Sequence, residues 1–412
     1  MKLRWYALAP VALGLAVGLP WPGIAQDDRD AGRLQGVEVL ARGPVHEAYA
    51  EPVETRPQQS LVVTKQPPEA INEVPPDQKP EGEDVVWIPG YWGWDEGQQD
   101  FVWVSGFWRV PPPDRQWVPG YWQDVEDGWQ WVPGYWAAVD QEDVTYVPPP
   151  PPSIDEGPST RAPDDNSSYV PGCWVYRESR YWWRPGYWVA YNPDWVWIPA
   201  HYRRSPFGFI FVEGFWDHPL DRRGLLFAPV IFEREVFLRR NFVFSPTFVV
   251  NLDFLLVNLF VFPRSNHFCF GDFFDARFAR AGFVPWFDFR LGRQTFDPDF
   301  TFFRHFQGQQ WERGMRDLFA ARREGTIARP PHTLVQQQKV IQNITTNNQQ
   351  NVTVNKTLNV TNVQMASAVA SLTQVNNQPL AHVVRPVDRK EQNVVRLASV
   401  SREERQREEK AI

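Results

Sequence analysis

Residues 117–136 read WVPGYWQDVEDGWQWVPGYW, in which the six letters WVPGYW occur twice, fourteen residues apart. Proline fixes φ and glycine accepts a positive φ, so each Pro-Gly pair predicts a type II turn. If the two flanks of the turn pair, Trp131 lies opposite Trp136. Aromatic pairs of this kind stabilise a two-stranded ribbon, so the stretch predicts a β-hairpin.

A second interpretation of the Pro-Gly pair follows from strand twist. Two-residue hairpins favour the primed turns, and a type II turn does not match the twist of the strands. The pair is then an open corner within one long ribbon. The tight turns lie between the units instead, at Glu96-Gly97 and Asp127-Gly128. Both interpretations exclude a helix, which such frequent proline and glycine would break.

The six-residue unit recurs every 14–16 residues, apart from one gap of 38 residues between the units at 131 and 169. Its copies are WIPGYW (87–92), WVSGFW (103–108), WVPGYW (117–122 and 131–136), YVPGCW (169–174), WRPGYW (183–188), WIPAHY (197–202) and FVEGFW (211–216), with FAPVIF (227–232) as a last trace. The predicted turn positions are Pro89, Gly90, Gly106, Pro119, Gly120, Pro133, Gly134, Pro171, Gly172, Pro185 and Gly186. A fixed short period is the signature of a repeat architecture. We therefore predict a mainly-β fold with two arrays of short aromatic β-hairpin units that follow one another as a meander.

Changes in composition divide the 412-residue chain into segments. We predict a signal peptide (1–25), a proline-rich acidic disordered arm (26–84), the first repeat array (85–147), a proline-rich linker (148–168), the second array (169–232), a Phe/Arg-rich β region (233–305), an amphipathic helix (306–325), an Asn/Gln/Thr/Val-rich low-complexity tail (333–377) and a charged tail (378–412). The arm is predicted to be disordered because it offers little apolar surface to offset its ordering entropy.

The first residues predict export. A short basic start, MKLRWY, precedes an apolar stretch of signal-peptide length, and small residues allow cleavage before Gln26. An uncleaved N-terminal anchor is the alternative. No later segment has the length and apolarity of a membrane-spanning helix. The expected location is therefore the periplasm, the cell envelope or the extracellular space.

The tryptophans of the repeats have two interpretations. They are either the core of units too short to have another core, or exposed platforms that stack on sugar rings or quaternary ammonium groups. Recurrence at one register in every copy favours the core. The residues for the platform alternative are Trp92, Trp108, Trp122, Trp136 and Trp188.

The sequence offers little support for catalysis or metal binding. We assign no catalytic residue, no metal ligand and no cofactor, because no known nucleophile, phosphate-binding or metal motif occurs. An enzyme would need a pocket that joins residues such as His267 and Asp272. Asp297 and Asp299 are expected to be solvated turn residues. Cys173 and Cys269 are either paired once or both buried and unreactive, and the net charge of −7 gives no indication of nucleic-acid binding.

The low-complexity tail is ambiguous. Alternation at 352–360 indicates a strand, whereas an unbroken 4-3 spacing from Val340 to Val375 indicates a coiled coil. We predict a helix at 363–376. Association of two copies through 340–375 is one consequence of the coiled-coil alternative.

The repeat units resemble the YXWGXW, or WXXGXW, repeat-containing exported proteins of bacteria. Besides the hexamers, the stretches GPVHEAYAEPV (43–53), PPDQKPEGEDVVWIPGYW (75–92) and FGDFFDARFARAGFVPWFDF (270–289) are similar to that family. The resemblance implies no catalytic or binding residue.

These observations together predict a non-catalytic, exported structural or interaction protein of the cell envelope or extracellular space. Its partners would be envelope proteins or polysaccharide. The alternatives are a glycan- or peptidoglycan-binding module that uses exposed tryptophan and, third, an enzyme.

Overall fold

The computed structural model describes residues 33–34, 36–54, 60–82, 84–141, 143–291, 293, 295–339, 372–374 and 397–410. The described chain is mainly β, as predicted, and its strands are short and antiparallel. The strands are β1 Arg33–Leu34, β2 Val37–Val39, β3 Gly43–Pro44, β4 Val62–Val63, β5 Gln78–Pro80, β6 Val86–Ile88, β7 Tyr91–Asp95, β8 Asp100–Val104, β9 Phe107–Arg109, β10 Arg115–Val118, β11 Tyr121–Val125, β12 Gly128–Val132, β13 Tyr135–Ala138, β14 Tyr146–Val147, β15 Ser167–Val170, β16 Cys173–Arg177, β17 Arg180–Arg184, β18 Tyr187–Ala190, β19 Val196–Ile198, β20 His201–Ser205, β21 Gly208–Val212, β22 Phe215–Asp217, β23 Val230–Phe232, β24 Phe248–Val250, β25 Leu259–Phe262, β26 His267–Phe270, β27 Val284–Pro285, β28 Leu372–Gln374 and β29 Leu397–Ser399.

The helices lie almost entirely after the repeats. They are α1 Arg234–Phe237, α2 Leu252–Leu256, α3 Ala276–Ala281, α4 Pro298–Gln307, α5 Gln309–Glu324, α6 at 334–339 and α7 Arg402–Lys410, with 3₁₀ turns at Leu220–Arg222 and Pro263–Ser265. The predicted helix at 306–325 corresponds to the end of α4 and to α5, which are separated by Gly308. Gly325 ends α5 with a positive φ of 78°, as a C-terminal glycine does.

Two consecutive repeat units make one long hairpin. In hairpin 1 (86–109), the tight turn lies between β7 and β8, and β6 then pairs with β9. The same arrangement gives hairpin 2 (115–138), hairpin 3 (167–190) and hairpin 4 (196–217). The repeating structural element is therefore a double unit.

Aromatic pairs form between two units rather than within one. The cross-strand pairs are Trp87–Trp108, Trp92–Trp103, Trp117–Trp136, Trp122–Trp131, Tyr169–Trp188, Trp174–Trp183, Trp197–Trp216 and Tyr202–Phe211. Their ring centroids are 5.0–5.5 Å apart in every hairpin, a favourable distance for tilted and edge-to-face contacts.

The predicted pairing of Trp131 with Trp136 across a type II turn is wrong. Gly120 and Gly134 lack the positive φ that this turn requires, whereas Gly128 at the tight turn has a φ of 133°. Pro-Gly is instead the open corner of the alternative interpretation. The meander is corrected accordingly to a series of double-unit hairpins.

The predicted disordered arm is wrong for residues 36–54 and 60–82, most of which are buried or partly buried. β2 pairs with β23, and β3 joins β26 in a four-stranded sheet with β25 and β27. The prediction of disorder considered only the apolar surface that residues 26–84 themselves offer. It could not include the aromatic surfaces of the repeats and of the C-terminal region, which cover the arm.

The C-terminal region departs from its predicted content in two places. The Phe/Arg-rich stretch at 233–305 is mixed rather than β, since it contains α1 to α4 beside β24 to β27. The helix predicted at 363–376 is a strand where it is described, because β28 pairs with β24. The predicted signal peptide (1–25) and almost all of 340–375 lie outside the described residues. None of the described helices is both long and apolar enough to cross a membrane.

Candidate functional site

The Pro-Gly corner leaves backbone amides outside the β-ladder. In hairpin 1 the ladder runs through Ile88 and resumes at Tyr91, so Gly90 and the opposite Gly106 pair with no strand. An aromatic ring lies over each of these glycines: a Cβ on Gly90 would be 2.7 Å from Trp103 Nε1, and one on Gly106 would be 2.7 Å from Trp87 Cζ2. Buried backbone N–H groups need an acceptor. Each corner is therefore a small donor site, which we call a glycine-pair clamp.

Glu73 occupies the clamp of hairpin 1. Its carboxylate accepts from Gly90 N at 2.7 Å, from Gly106 N at 3.0 and 3.1 Å, and from Trp103 Nε1 at 2.9 Å. Burial raises the pKa of Glu73 to about 7, although these donors act in the opposite direction. A residue outside the repeats thus completes the hydrogen bonding of the repeat.

Glu47 occupies the clamp of hairpin 2. It accepts from Trp131 Nε1 at 2.9 Å and from Gly134 N at 3.0 Å, and burial raises its pKa to about 8.

His267 lies next to Glu47 and makes two hydrogen bonds. Tyr91 Oη lies 2.8 Å from His267 Nε2, and His267 Nδ1 lies 2.7 Å from the carbonyl oxygen of Ser265. Burial lowers the pKa of His267 to about 4. The imidazole is therefore neutral at pH 7, donating to Ser265 and accepting from Tyr91.

Asp155 of the proline-rich linker occupies the clamp of hairpin 3. It accepts from Gly172 N at 2.7 Å and from the Tyr169 hydroxyl at 2.8 Å. Tyr169 takes the position of the first tryptophan of its unit, and its ring lies over Gly186. Three hairpins therefore hold a carboxylate from a segment outside the repeats.

A second hydrogen bond repeats from array to array. In the second hairpin of each array, the last aromatic residue of the first unit donates to the backbone carbonyl oxygen of the equivalent residue in the preceding hairpin. Trp122 Nε1 donates to Trp92 O, and the Tyr202 hydroxyl donates to Trp174 O, both at 2.7 Å. In the first hairpin of each array the same donor meets a proline-rich segment instead. Trp92 Nε1 donates to Glu69 O and Trp174 Nε1 to Pro152 O, both at 2.9 Å.

These bonds identify the two proline-rich segments as caps of the arrays. Each occupies the place where a preceding hairpin would lie, and each also supplies the carboxylate for the clamp. Terminal repeats of repeat proteins need such a cover, since their outer face has no neighbouring repeat.

A buried ionic network joins the hairpins to the rest of the chain. Asp217 binds Arg109 Nη2 at 2.6 and 2.7 Å and Arg223 Nε at 3.0 Å. Arg223 also binds Asp299 through two contacts at 2.7 and 3.0 Å. Asp297 caps α4, and burial raises its pKa to about 8. The expectation that Asp297 and Asp299 are solvated turn residues is wrong, since both are buried.

The candidate platform tryptophans lie in different environments. Trp92, Trp108 and Trp136 are buried, with exposed fractions of 7%, 1% and 3%. Trp122 and Trp188 are partly buried. Among the residues that the structure describes, the most exposed tryptophans are Trp182 and Trp216, at 48% and 37%, and neither was selected from the sequence.

Trp216 borders an open groove between hairpins 2 and 4. The groove has a volume of about 850 Å³ and is lined by Trp195, Trp197 and Trp216 together with polar residues that include Arg115 and Asp140. Aromatic rings next to charged side chains are a suitable surface for a polar ring-shaped ligand such as a sugar. The groove was missed because its aromatic residues and its charged residues lie far apart in sequence.

The other candidate residues do not come together. His267 contacts Tyr91 and lies 3.7 Å from Glu47, whereas Asp272 binds His332 Nε2 at 2.8 Å. Cys173 and Cys269 are both free thiols. Within the ranges that the structure describes, no group of three or more His, Cys, Asp or Glu side chains is arranged to hold a metal ion.

The clamp carboxylates were also missed from the sequence. Glu73 and Asp155 lie in proline-rich stretches without a local pattern. For Glu47, the sequence feature that could have indicated a role is the similarity of residues 43–53 to the repeat-containing family.

Comparison with known proteins identifies the repeat. The family model of the WXXGXW repeat, described as two copies, matches residues 82–109, 117–137 and 169–189. These ranges contain hairpin 1, nearly all of hairpin 2 and most of hairpin 3. No curated protein and no solved structure matches the chain.

Proposed function

We propose that this chain, a WXXGXW repeat protein, is a non-catalytic structural and interaction protein of the cell envelope or extracellular space. The observation that supports the proposal is that tryptophans of the repeats make their hydrogen bonds within the chain. The indole N–H groups of Trp92, Trp103 and Trp131 all donate to acceptors within the chain, and the three rings are buried. Side chains engaged in this way hold a scaffold together and offer little surface to a ligand.

The test of the scaffold role compares a buried with an exposed tryptophan. We expect Trp136→Ala to lower the free energy of unfolding by about 3–5 kcal/mol, because it removes a large buried ring. Trp182→Ala, at a site that is 48% exposed, should change it by less than about 1 kcal/mol. Urea unfolding followed by circular dichroism measures both values. Equal small effects would contradict the scaffold role.

Export of the protein is proposed from the sequence alone. Expression of the full-length gene with a C-terminal tag, followed by fractionation and mass determination of the N-terminus, tests it. Tagged protein found only in the cytoplasm with residues 1–25 intact would overturn the proposal.

Glycan binding is the second candidate, and the groove at Trp216 favours it. Stacking of sugar rings on exposed aromatic residues is consistent with the 37% exposure of Trp216 and with Arg115 at the groove wall. Trp216→Ala should abolish retention on a wall-polysaccharide matrix while Trp182→Ala leaves it unchanged. If neither the wild type nor Trp182→Ala is retained on the matrix, glycan binding is contradicted.

A further inference from the structure

We propose that hairpin 3 is a peptide-binding site for an extended, proline-rich segment of a partner protein that carries a carboxylate three residues after a free carbonyl group. In this chain, residues 148–157 of the linker occupy that site. The proposal specifies a partner class for the interaction role proposed above, and it rests on that role.

The contacts of residues 148–157 define the recognition. Trp174 Nε1 donates to Pro152 O at 2.9 Å, and the Tyr181 hydroxyl donates to Pro148 O. Three residues after Pro152, the carboxylate of Asp155 fills the clamp. Prolines lack an N–H group, so their carbonyl oxygens remain free for donors from a receptor, and aromatic donors on a groove are the usual means of binding such segments.

Hairpin 1 uses the same recognition with a different sequence. There Trp92 Nε1 donates to Glu69 O, and Glu73, four residues later, fills the clamp. The segments QPPEAINEVPPD (66–77) and PPPPPSIDEG (148–157) are both proline-rich, and in each an acid follows the accepting carbonyl group, by four residues in the first and by three in the second. Because two different segments satisfy equivalent donors, the site recognises a free carbonyl group followed closely by a carboxylate rather than one sequence.

The occupant of hairpin 3 is more accessible than that of hairpin 1. Glu73 is buried, whereas Asp155 is only partly buried and its neighbours Ile154 and Glu156 are exposed. The bond from Trp174 to Pro152 is also exposed to solvent. The net contribution of this neutral hydrogen bond is small, because water replaces the partner when the bond breaks. Residues 148–157 can therefore leave hairpin 3 without disturbing the core, and a segment from a partner can replace them.

The occupant inside the chain competes with any partner through its high effective concentration. A short flexible tether gives an effective concentration in the millimolar range. Weakening the tethered segment should thus increase the affinity for a free peptide. Asp155→Asn does so by removing the charge from the clamp, and Glu156→Gln is the matched control, because Glu156 is the exposed neighbour.

The experiment measures binding of a fluorescent synthetic peptide, VPPPPPSIDEGP, which has the sequence of residues 147–158. Fluorescence anisotropy is recorded with the full-length wild type, Asp155→Asn and Glu156→Gln. We expect the Asp155→Asn protein to bind at least about tenfold more tightly than the other two, because its tethered segment lacks the charged hydrogen-bond acceptor that holds it in the clamp. A second peptide with asparagine in place of the aspartate should bind at least about tenfold more weakly.

Equal affinity of the three proteins, or of the two peptides, would overturn the proposal. If Asp155→Asn does not fold, the two peptides are compared on the wild type at millimolar concentration, where the aspartate peptide must still bind more tightly. Dimers of Asp155→Asn that form with increasing concentration in the absence of peptide would show a second copy as occupant and overturn the assignment to a partner. Failure to bind peptide leaves the scaffold role intact, because that role is tested separately by Trp136→Ala.

Discussion

The glycine of each repeat unit is required by the ring that lies over it. The first aromatic residue of one unit covers the glycine of the partner unit, as Trp117 covers Gly134 and Trp131 covers Gly120. These glycines do not have a positive φ, so their conformation is open to any residue. Space, rather than backbone freedom, therefore explains why glycine stands between the two aromatic residues.

The contact at Gly134 makes a direct prediction. A Cβ there would lie 2.4 Å from Trp117 Cζ2 and 2.8 Å from Gly120 N. We expect Gly134→Ala to lower the free energy of unfolding by about 1–3 kcal/mol, because the ring and the opposite backbone must move apart. Urea unfolding provides the measurement.

Gly314→Ala is the matched control for this prediction. Gly314 lies in α5, where an added Cβ would contact nothing within 4 Å. The same exchange should therefore stabilise the protein by about 0.5–1 kcal/mol through helix propensity. Effects of the same sign at both glycines would show that the ring contact is not the reason for glycine in the repeat.

At the scale of elements, a hairpin and the carboxylate in its clamp form one unit. The Pro-Gly corner interrupts the ladder and frees backbone amides, and an acid from outside the repeats accepts from two of them in hairpin 1 and from one each in hairpins 2 and 3. In hairpin 1 this connects Glu73 to strands on both sides of the corner. The arrangement stabilises the hairpin by hydrogen bonding, but it requires a carboxylate to be buried.

The buried carboxylate makes the stability of hairpin 1 depend on pH. The pKa of Glu73 rises from 4.5 to about 7 on folding, so the folded state binds the proton more tightly. The contribution of Glu73 is fully present below pH 4.5 and is lost as the pH rises through 7. This amounts to about 3 kcal/mol across the window.

Glu73→Gln should remove this dependence. The difference in unfolding free energy between the wild type and Glu73→Gln should fall by about 3 kcal/mol from about pH 4.5 to about pH 8. Glu69→Gln is the control, because the side chain of Glu69 is exposed and only its carbonyl group binds the hairpin. A constant difference would show that Glu73 is not protonated on folding.

The elements differ in how far the sequence predicts them. Local chemistry predicted the strands and the tight turn at Asp127-Gly128, because alternation and turn residues act over a few positions. The identity of the clamp carboxylates could not be predicted. Glu47 lies 84 and 87 residues from its donors on Trp131 and Gly134, and no local pattern distinguishes it from Glu51.

At the scale of the molecule, residues 45–54 form a hub between the arrays. Glu47 binds hairpin 2, the carbonyl oxygen of Ala48 accepts from Arg109 of hairpin 1, and Glu51 pairs with Arg203 of hairpin 4. The carbonyl oxygen of Tyr49 accepts from Arg223. The arrays therefore fold around this segment, and we expect them to unfold together.

The ionic network beside the hub is the point where this cooperativity can be tested. Asp217 lies between Arg109 of hairpin 1 and Arg223, and Arg223 binds Asp299 in α4. Asp217→Ala leaves two buried guanidinium groups with one carboxylate. We expect a loss of about 3–5 kcal/mol in the free energy of unfolding, because an unpaired buried charge is costly.

The control for Asp217→Ala is a surface ion pair of the same composition. Asp194 lies 2.7 Å from Arg222, and the side chain of Asp194 is exposed whereas that of Arg222 is partly exposed. Asp194→Ala should therefore change the free energy of unfolding by less than about 1 kcal/mol.

Two signals recorded during urea unfolding measure the cooperativity. Tryptophan fluorescence reports mainly on the arrays, and circular dichroism reports on the whole chain. If the hub couples the arrays, the two signals coincide in the wild type, and Asp217→Ala shifts both midpoints equally. Separate transitions in the wild type would show that the arrays unfold independently and that the hub does not join them energetically.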